Sequence, residues 1–261
     1  MAEINLPLEP RPPQILAPNR LVLFSKPKVG KTTLVSTLPK NLILDFEKGT
    51  LAVAAMAVQV KSYQDIDAIC TAIQKAGYPY QYITIDTASS LEEMCMLQAE
   101  INYANSPEGE KWFLQNPDGT LHERSGKLQY ANILNLPYGK GYQYLAEAYE
   151  AAIKKLERCA PRLIILAHST TTTVTKDGVE SVSLDLQLNK KPKFYTLYKA
   201  DAVGYIYRKG TQNFINFTAT EDVGAGGRFR NLEKEHILIS EYDEQDNLVT
   251  YWESIFPTKK K

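Results

Sequence analysis

The residues whose types and spacing could do chemistry begin at Ser25-Lys26-Pro27-Lys28-Val29-Gly30-Lys31-Thr32-Thr33. This run fits the pattern G-x-x-x-x-G-K-[ST], except that Ser25 replaces the first glycine. An apolar strand at 21–24 precedes it and a helix starting near Gly30 follows, so successive backbone N–H groups would converge on one anion. In that setting Lys31 meets the β- and γ-phosphates as a point charge and Thr32 offers its hydroxyl to Mg²⁺. The expected ligands are therefore ATP and Mg²⁺. The alternative is a plain strand–turn–helix with an exposed lysine. A glycine at the first position relieves turn strain, so Ser25 must reach ordinary backbone angles or accept strain.

Three further polar residues close apolar strands. Asp86 ends the run 82–86 and, at the carboxyl edge of a parallel sheet, could hold the metal beside the phosphate loop; alternatively it only caps the next helix. Asp45-Phe46-Glu47 closes the run 42–45. Glu47 has the reach to orient or deprotonate an attacking water, while Asp45 is expected to act as a structural acceptor. Against a catalytic Glu47 stands a solvated turn at Glu47-Lys48-Gly49. His168 ends the run 163–167 and could sense the γ-phosphate; a lone histidine is otherwise more often a satisfied structural residue.

These positions need a scaffold of short, continuous apolar strands alternating with amphipathic helices. Besides the strands above, 58–60 is a shorter candidate; Ser62 is expected to cap a helix with Ile66, Ile69, Cys70 and Ile73 on one face, and 91–103 and 142–159 are further helices. The expected fold is α/β, a mostly parallel central sheet flanked by helices, with a β-rich C-terminal extension. In that extension 202–208 and 214–218 form a hairpin, a glycine-rich loop spans 224–230, and 236–240 and 248–252 are strands. Residues 104–141 break the pattern with Asn, Pro, Gly and isolated aromatics (Trp112, Phe113, Tyr130, Tyr138) and are expected to be an insertion ordered by those rings or by a protein partner. Behind His168, the Ser/Thr run 169–175 is not helical, Lys176-Asp177-Gly178 is a turn signal, and Lys190, Lys191 and Lys193 form a basic cluster.

Lysine plus arginine and aspartate plus glutamate are 30 each, so any nucleic-acid surface must be local. The three cysteines lack metal-ligand spacing and are expected to be buried free thiols. The proline-rich lead 1–18 has neither signal-peptide nor membrane-span character, so the expectation is a cytoplasmic protein with no membrane partner. The expected domain layout is that lead, a main domain over 19–240, and a C-terminal strand with a basic tail over 241–261.

Residues 25–33, 42–47, 82–86 and 163–168, in that order, resemble the RecA-like P-loop ATPases, most closely the small phage-encoded branch implicated in recombination and single-strand annealing. The resemblance covers roughly residues 19–240 and rests chiefly on the phosphate loop. It implies an ATPase in the host cytoplasm that binds single-stranded DNA in an ATP-dependent way and assembles as a homo-oligomer. By the same resemblance residues 25–33 bind nucleotide, Lys31 and Thr32 bind phosphate and metal, Asp86 is the metal-side carboxylate, Glu47 is catalytic, and His168 fills a sensor position that is often glutamine. Residues 169–193 correspond to a mobile DNA-binding loop, with Lys176, Lys190, Lys191 and Lys193 as its cations. Arg228 and Arg230 share the spacing of basic residues that such filaments insert into a neighbour's ATP site; a solvated basic turn is the alternative. Departures from the family are Ser25, His168, the insertion and the lack of a recognisable polymerisation element. Two other function classes remain open: a nucleotide-gated assembly factor that docks a protein through 104–141, and a small-molecule kinase, for which 104–141 offers only Arg124 as lid arginine.

Overall fold

The computed structural model describes residues 8–10, 13, 15–109, 133–176, 179–219 and 224–257. Trp112, Phe113, Arg124, Tyr130, Asp177, Gly178 and the tail 258–261 lie outside the described residues.

Strand β1 (Arg20–Ser25) is buried at every position, as a strand covered on both faces must be. It leads through the phosphate-loop sequence into helix α1 (Lys31–Ser36). Strands β2 (Asn41–Asp45) and β3 (Ala57–Gln59) follow, then helix α2 (Tyr63–Lys75), β4 (Tyr82–Asp86) and α3 (Ala88–Ala104). The α2 start is a full capping box: the Ser62 hydroxyl accepts from the Asp65 N–H and the Asp65 carboxylate from the Ser62 N–H. Helix α4 (Lys140–Leu156) precedes β5 (Arg162–Lys176), β6 (Val179–Leu186) and α5 (Lys190–Tyr198). The chain closes with β7 (Ala202–Lys209), β8 (Gln212–Asn216), the two-residue β9 (Gly226–Gly227), β10 (Ile237–Tyr242) and β11 (Leu248–Thr250).

The sheet order is β11-β10-β8-β7-β1-β5-β4-β2-β3. Pairing is parallel from β7 through β1, β5, β4 and β2 to β3, and antiparallel from β7 outward through β8, β10 and β11. The C-terminal hairpin thus continues the central sheet instead of forming a separate layer. Side chains alternate across β1. Val22 and Phe24 join the core under α2, α3 and α4, while Leu21 and Leu23 join the core with α1 residues Leu34 and Val35. The second face is completed by the C-terminal segment, where Trp252 Nε1 donates to Thr37 Oγ1 at 2.9 Å and Phe256 meets Tyr82 at 5.1 Å between ring centroids.

Three regions depart from the sequence expectation; one is residues 190–193, which the resemblance places in a loop and which open helix α5. The Ser/Thr run after His168 is a continuation of β5, not a loop: residues 169–176 pair antiparallel with β6, because β-branched threonines favour extended backbone. Part of the 104–141 segment belongs to the core, with Ile133 and Leu136 buried against the helical face.

Gly204 on β7 lies where its strand is crowded by side chains of β8 and the residue just past it. An added Cβ would stand 2.5 Å from Ile215 Cγ2 and 2.8 Å from Phe217 Cε1. Gly204→Ala is expected to lower stability by about 1–3 kcal/mol through overpacking, read as a shifted midpoint in urea unfolding.

Candidate functional site

Parallel pairing sets the strand ends side by side. Ser25 is in register with His168, His168 lies two residues past Leu166, which is the partner of Asp86, and Asp86 is the partner of Asp45. The carboxyl ends of β1, β4 and β2, together with His168 on β5, therefore face one cavity of about 570 Å³, lined by Lys28, Gly30, Lys31, Thr32, Thr33, Glu47, Asp86, Thr87 and His168 among others.

The turn from β1 into α1 takes its positive φ at Lys28 (64°) and Gly30 (102°). Ser25 is the last residue of the strand and needs no left-handed angle, which answers why serine is tolerated there. Its hydroxyl donates to Lys26 O at 2.8 Å and accepts from Lys31 Nζ at 3.0 Å, so the serine orients the lysine. No side chain caps α1, which leaves its opening N–H groups to an external acceptor.

Lys31 is only 6% exposed. Burial pulls its pKa down, and the charges of Asp86 and Glu47 partly counter this. The Asp86 carboxyl is pushed up by burial, opposed by the Thr32 hydroxyl and Lys31 and reinforced by Glu47 and Asp45. Each shift marks a group whose charged form an opposite charge would stabilise: an anion at Lys31, a cation at Asp86.

Thr32 Oγ1 donates to Asp86 Oδ2 at 2.6 Å. This pair of hard oxygens suits Mg²⁺, which typically takes one or two protein ligands and fills its remaining positions with water and phosphate oxygens. Among the described residues no cluster of three or more His, Cys, Asp or Glu is arranged to hold a metal. The helix cap of α3 is Thr87 and not Asp86, so the capping alternative for Asp86 falls away. The Asp86–Thr87 peptide is cis.

Glu47 lies in an exposed bend after β2, as the solvated-turn alternative has it, but its carboxylate is held by neighbours. Its Oε1 accepts from Ser90 Oγ at 2.7 Å and from Thr87 Oγ1, and its Oε2 lies 3.4 Å from His168 Nε2. Burial alone would raise its pKa, but the hydroxyls of Thr87 and Ser90 and the His168 ring outweigh it and hold the carboxyl below the usual range. His168 Nδ1 stands 3.4 Å from Lys31 Nζ. An ammonium has only donors, so Nδ1 must accept and the ring proton belongs on Nε2, facing Glu47. His168 thereby bridges the phosphate-loop lysine and the candidate catalytic carboxylate.

Asp45 behaves as expected of a structural acceptor. It receives the N–H groups of Glu47, Gly49 and Thr50 at 3.0–3.1 Å and the Thr50 hydroxyl at 2.5 Å, pinning the loop that carries Glu47. Thr50, Thr87 and Ser90 were not singled out from sequence. The hydroxyl-rich run Thr87-Ala88-Ser89-Ser90 immediately after Asp86 was the available signal.

Lys26, Pro27 and Val29 belong to the same turn and Thr33 to the first turn of α1, and Pro27 and Thr33 line the cavity. The remaining expected site residues lie elsewhere. Lys176 ends β5, in register with Val179. Lys190 and Lys191 are exposed at the start of α5, whereas Lys193 is ion-paired to Asp185 at 2.5 Å. Arg228 and Arg230 are exposed beside β9, which pairs with Ala202 and Val203 at the amino end of β7, the edge opposite the cavity. Arg228 Nη1 is 3.4 Å from Asp201 Oδ1.

A strand-to-helix turn of this sequence with a buried lysine and a hydroxyl–carboxylate pair beside it fits the P-loop nucleotide-binding class. The family model described as AAA domain matches residues 17–229, and the chain belongs to that family, an AAA-type group of P-loop ATPase-like proteins. Membership points to nucleotide binding and ATPase activity, usually with Mg²⁺. No curated protein matches the chain significantly. Among the described residues no helix is long and apolar enough to cross a membrane.

Burial works against Asp45, but its hydrogen bonds from Thr50, Glu47 and Gly49 prevail and hold its pKa below the ordinary value. A depressed folded pKa means stability present above the unfolded pKa and lost as pH falls through the folded one. Asp45→Asn is expected to cost about 1–3 kcal/mol at neutral pH, because one amide oxygen cannot replace four acceptances. The deficit relative to wild type should shrink below about pH 4, as measured by urea unfolding across that window.

Proposed function

We propose that this protein binds and hydrolyses ATP in the cavity at the carboxyl edge of the sheet, and that it uses the cycle to grip and release single-stranded DNA in recombination or annealing of the phage type. The carrying observation is the convergence of Lys31, the Thr32–Asp86 pair and the Glu47–His168 contact on one cavity. Lys31, the uncapped start of α1 and the turn at 26–30 would hold the triphosphate. Thr32 and Asp86 would hold Mg²⁺, which when bound neutralises charge on the phosphate oxygens.

Glu47 is the group to orient the attacking water. Its low pKa keeps it ionised at neutral pH, and Thr87 and Ser90 fix one of its oxygens, so it positions and polarises more than it abstracts. His168 links this carboxylate to Lys31, and its own carbonyl accepts the Gln187 N–H at 2.9 Å, at the end of the β5–β6 hairpin. A shift at the γ-phosphate would thus reach the segment that carries Lys176, Lys190, Lys191 and Lys193. Arg228 and Arg230 lie too far round the sheet to serve their own cavity, so in this proposal they act on a neighbouring copy of a homo-oligomer.

The proposal is tested by ATPase rate with and without single-stranded DNA. Glu47→Gln is expected to leave binding of a non-hydrolysable ATP analogue within a fewfold of wild type while reducing turnover by about 10²–10⁴-fold. Arg228→Ala should likewise spare binding and abolish the DNA-stimulated rate. A rate indifferent to DNA, together with no salt-sensitive binding to single strands, removes the DNA part and leaves an ATPase acting on another partner.

A further inference from the structure

Helix α5 leaves the sheet edge at Asn189, whose N–H and side-chain amide both donate to the Glu92 carboxylate on α3. One side of the helix is spoken for: Pro192 and Thr196 are buried, and Tyr195 and Leu197 pack on the core. The other side carries Lys190, Phe194 and Tyr198, which recur every four residues and so stand one above the other on a single ridge. Phe194 is 66% exposed and Tyr198 is 64% exposed. Their rings are nearly parallel, 9° apart with centroids 5.5 Å from each other, and the Lys199 ammonium lies 5.5 Å from the Tyr198 ring centroid.

The charge on this ridge is one-sided. From Gln187 to Ala200 there are four lysines and no carboxylate. The flanking acids are engaged: Asp185 holds Lys193, and Asp201 accepts the Asn19 and Arg20 N–H groups. Lys190 and Lys191 occupy the first turn of the helix, where the backbone dipole already carries partial positive charge and disfavours cations. Two large exposed rings, and lysines for which no ion pair is found among the described residues, suit a ligand that is a polyanion with stackable faces.

We propose that the Phe194–Tyr198 ridge is a stacking platform for bases of single-stranded DNA, with Lys190, Lys191 and Lys199 meeting the adjacent phosphates. The platform presupposes the proposed ATP-dependent grip on single strands and assigns it a location on α5 outside the β5–β6 hairpin. Base stacking on aromatic side chains is tolerant of sequence, so the platform predicts binding with little base preference. Lys193 is excluded from it by its pairing with Asp185.

The test is fluorescence-anisotropy binding of labelled oligothymidylate to the full chain with Mg²⁺ and a non-hydrolysable ATP analogue, across a salt series. Phe194→Ala and Tyr198→Ala should each weaken binding by about 5–100-fold with the salt slope unchanged, and Tyr198→Phe should bind like wild type. Lys190→Ala and Lys191→Ala should each lower the salt slope by about 0.7. All these side chains are exposed, so melting temperatures should match wild type. Wild-type binding that survives both alanine variants overturns the platform while leaving the ATP-dependent grip in place. No wild-type binding in any nucleotide state overturns both. Unchanged DNA affinity with a reduced assembly mass in the alanine variants overturns the platform and makes the ridge a contact between copies.

Discussion

The site depends on an ammonium group kept out of water. Lys31 is buried at the start of α1, just past the turn that follows the first core strand, and a buried cation must find partners or lose its charge. Its partners here are oriented but sparse: one hydroxyl, one carbonyl and one imidazole nitrogen, with the carboxylates of Asp86 and Glu47 acting through space. Ser25, Asp45, Asp86 and His168 owe their placement to the same parallel register that brings strand ends to one edge.

The coupling outward from this edge runs through short polar links. Helix α3 begins directly after Asp86, and its first turns do three things at once. Thr87 and Ser90 hold Glu47, Ser89 donates to Gln187 O, and Glu92 receives Asn189. The nucleotide cavity and the return of the β5–β6 hairpin are therefore tied to one rigid helix as well as to His168. These hydrogen bonds join the residues that hold Glu47 to the start of α5.

Much of this was legible in the sequence because the signals were local. The apolar runs at 21–24, 42–45, 82–86 and 163–167 read as buried strands, and Ser62 marked the start of its helix. Asp45 as a structural acceptor and Glu47 near the phosphate loop followed from their places at a strand end. Non-local pairing was hidden. Residues 169–175 read as a loop because a threonine-rich strand shows no apolar periodicity, and its pairing with β6 exists only in the fold. The hydroxyls of Thr87 and Ser90 gained meaning only when Glu47, some forty residues earlier, was folded against them. The exposed rings of Phe194 and Tyr198 look in sequence like any apolar helix positions, since exposure is a property of the fold.

The most direct measurement is calorimetric titration of Lys31→Ala and wild type with a non-hydrolysable ATP analogue and Mg²⁺. A buried ammonium that anchors phosphate should, when removed, lower affinity by at least about tenfold, the worth of a charge-assisted hydrogen bond. Wild-type affinity in the variant would show that the triphosphate is not held at this turn and would contradict the account at its base.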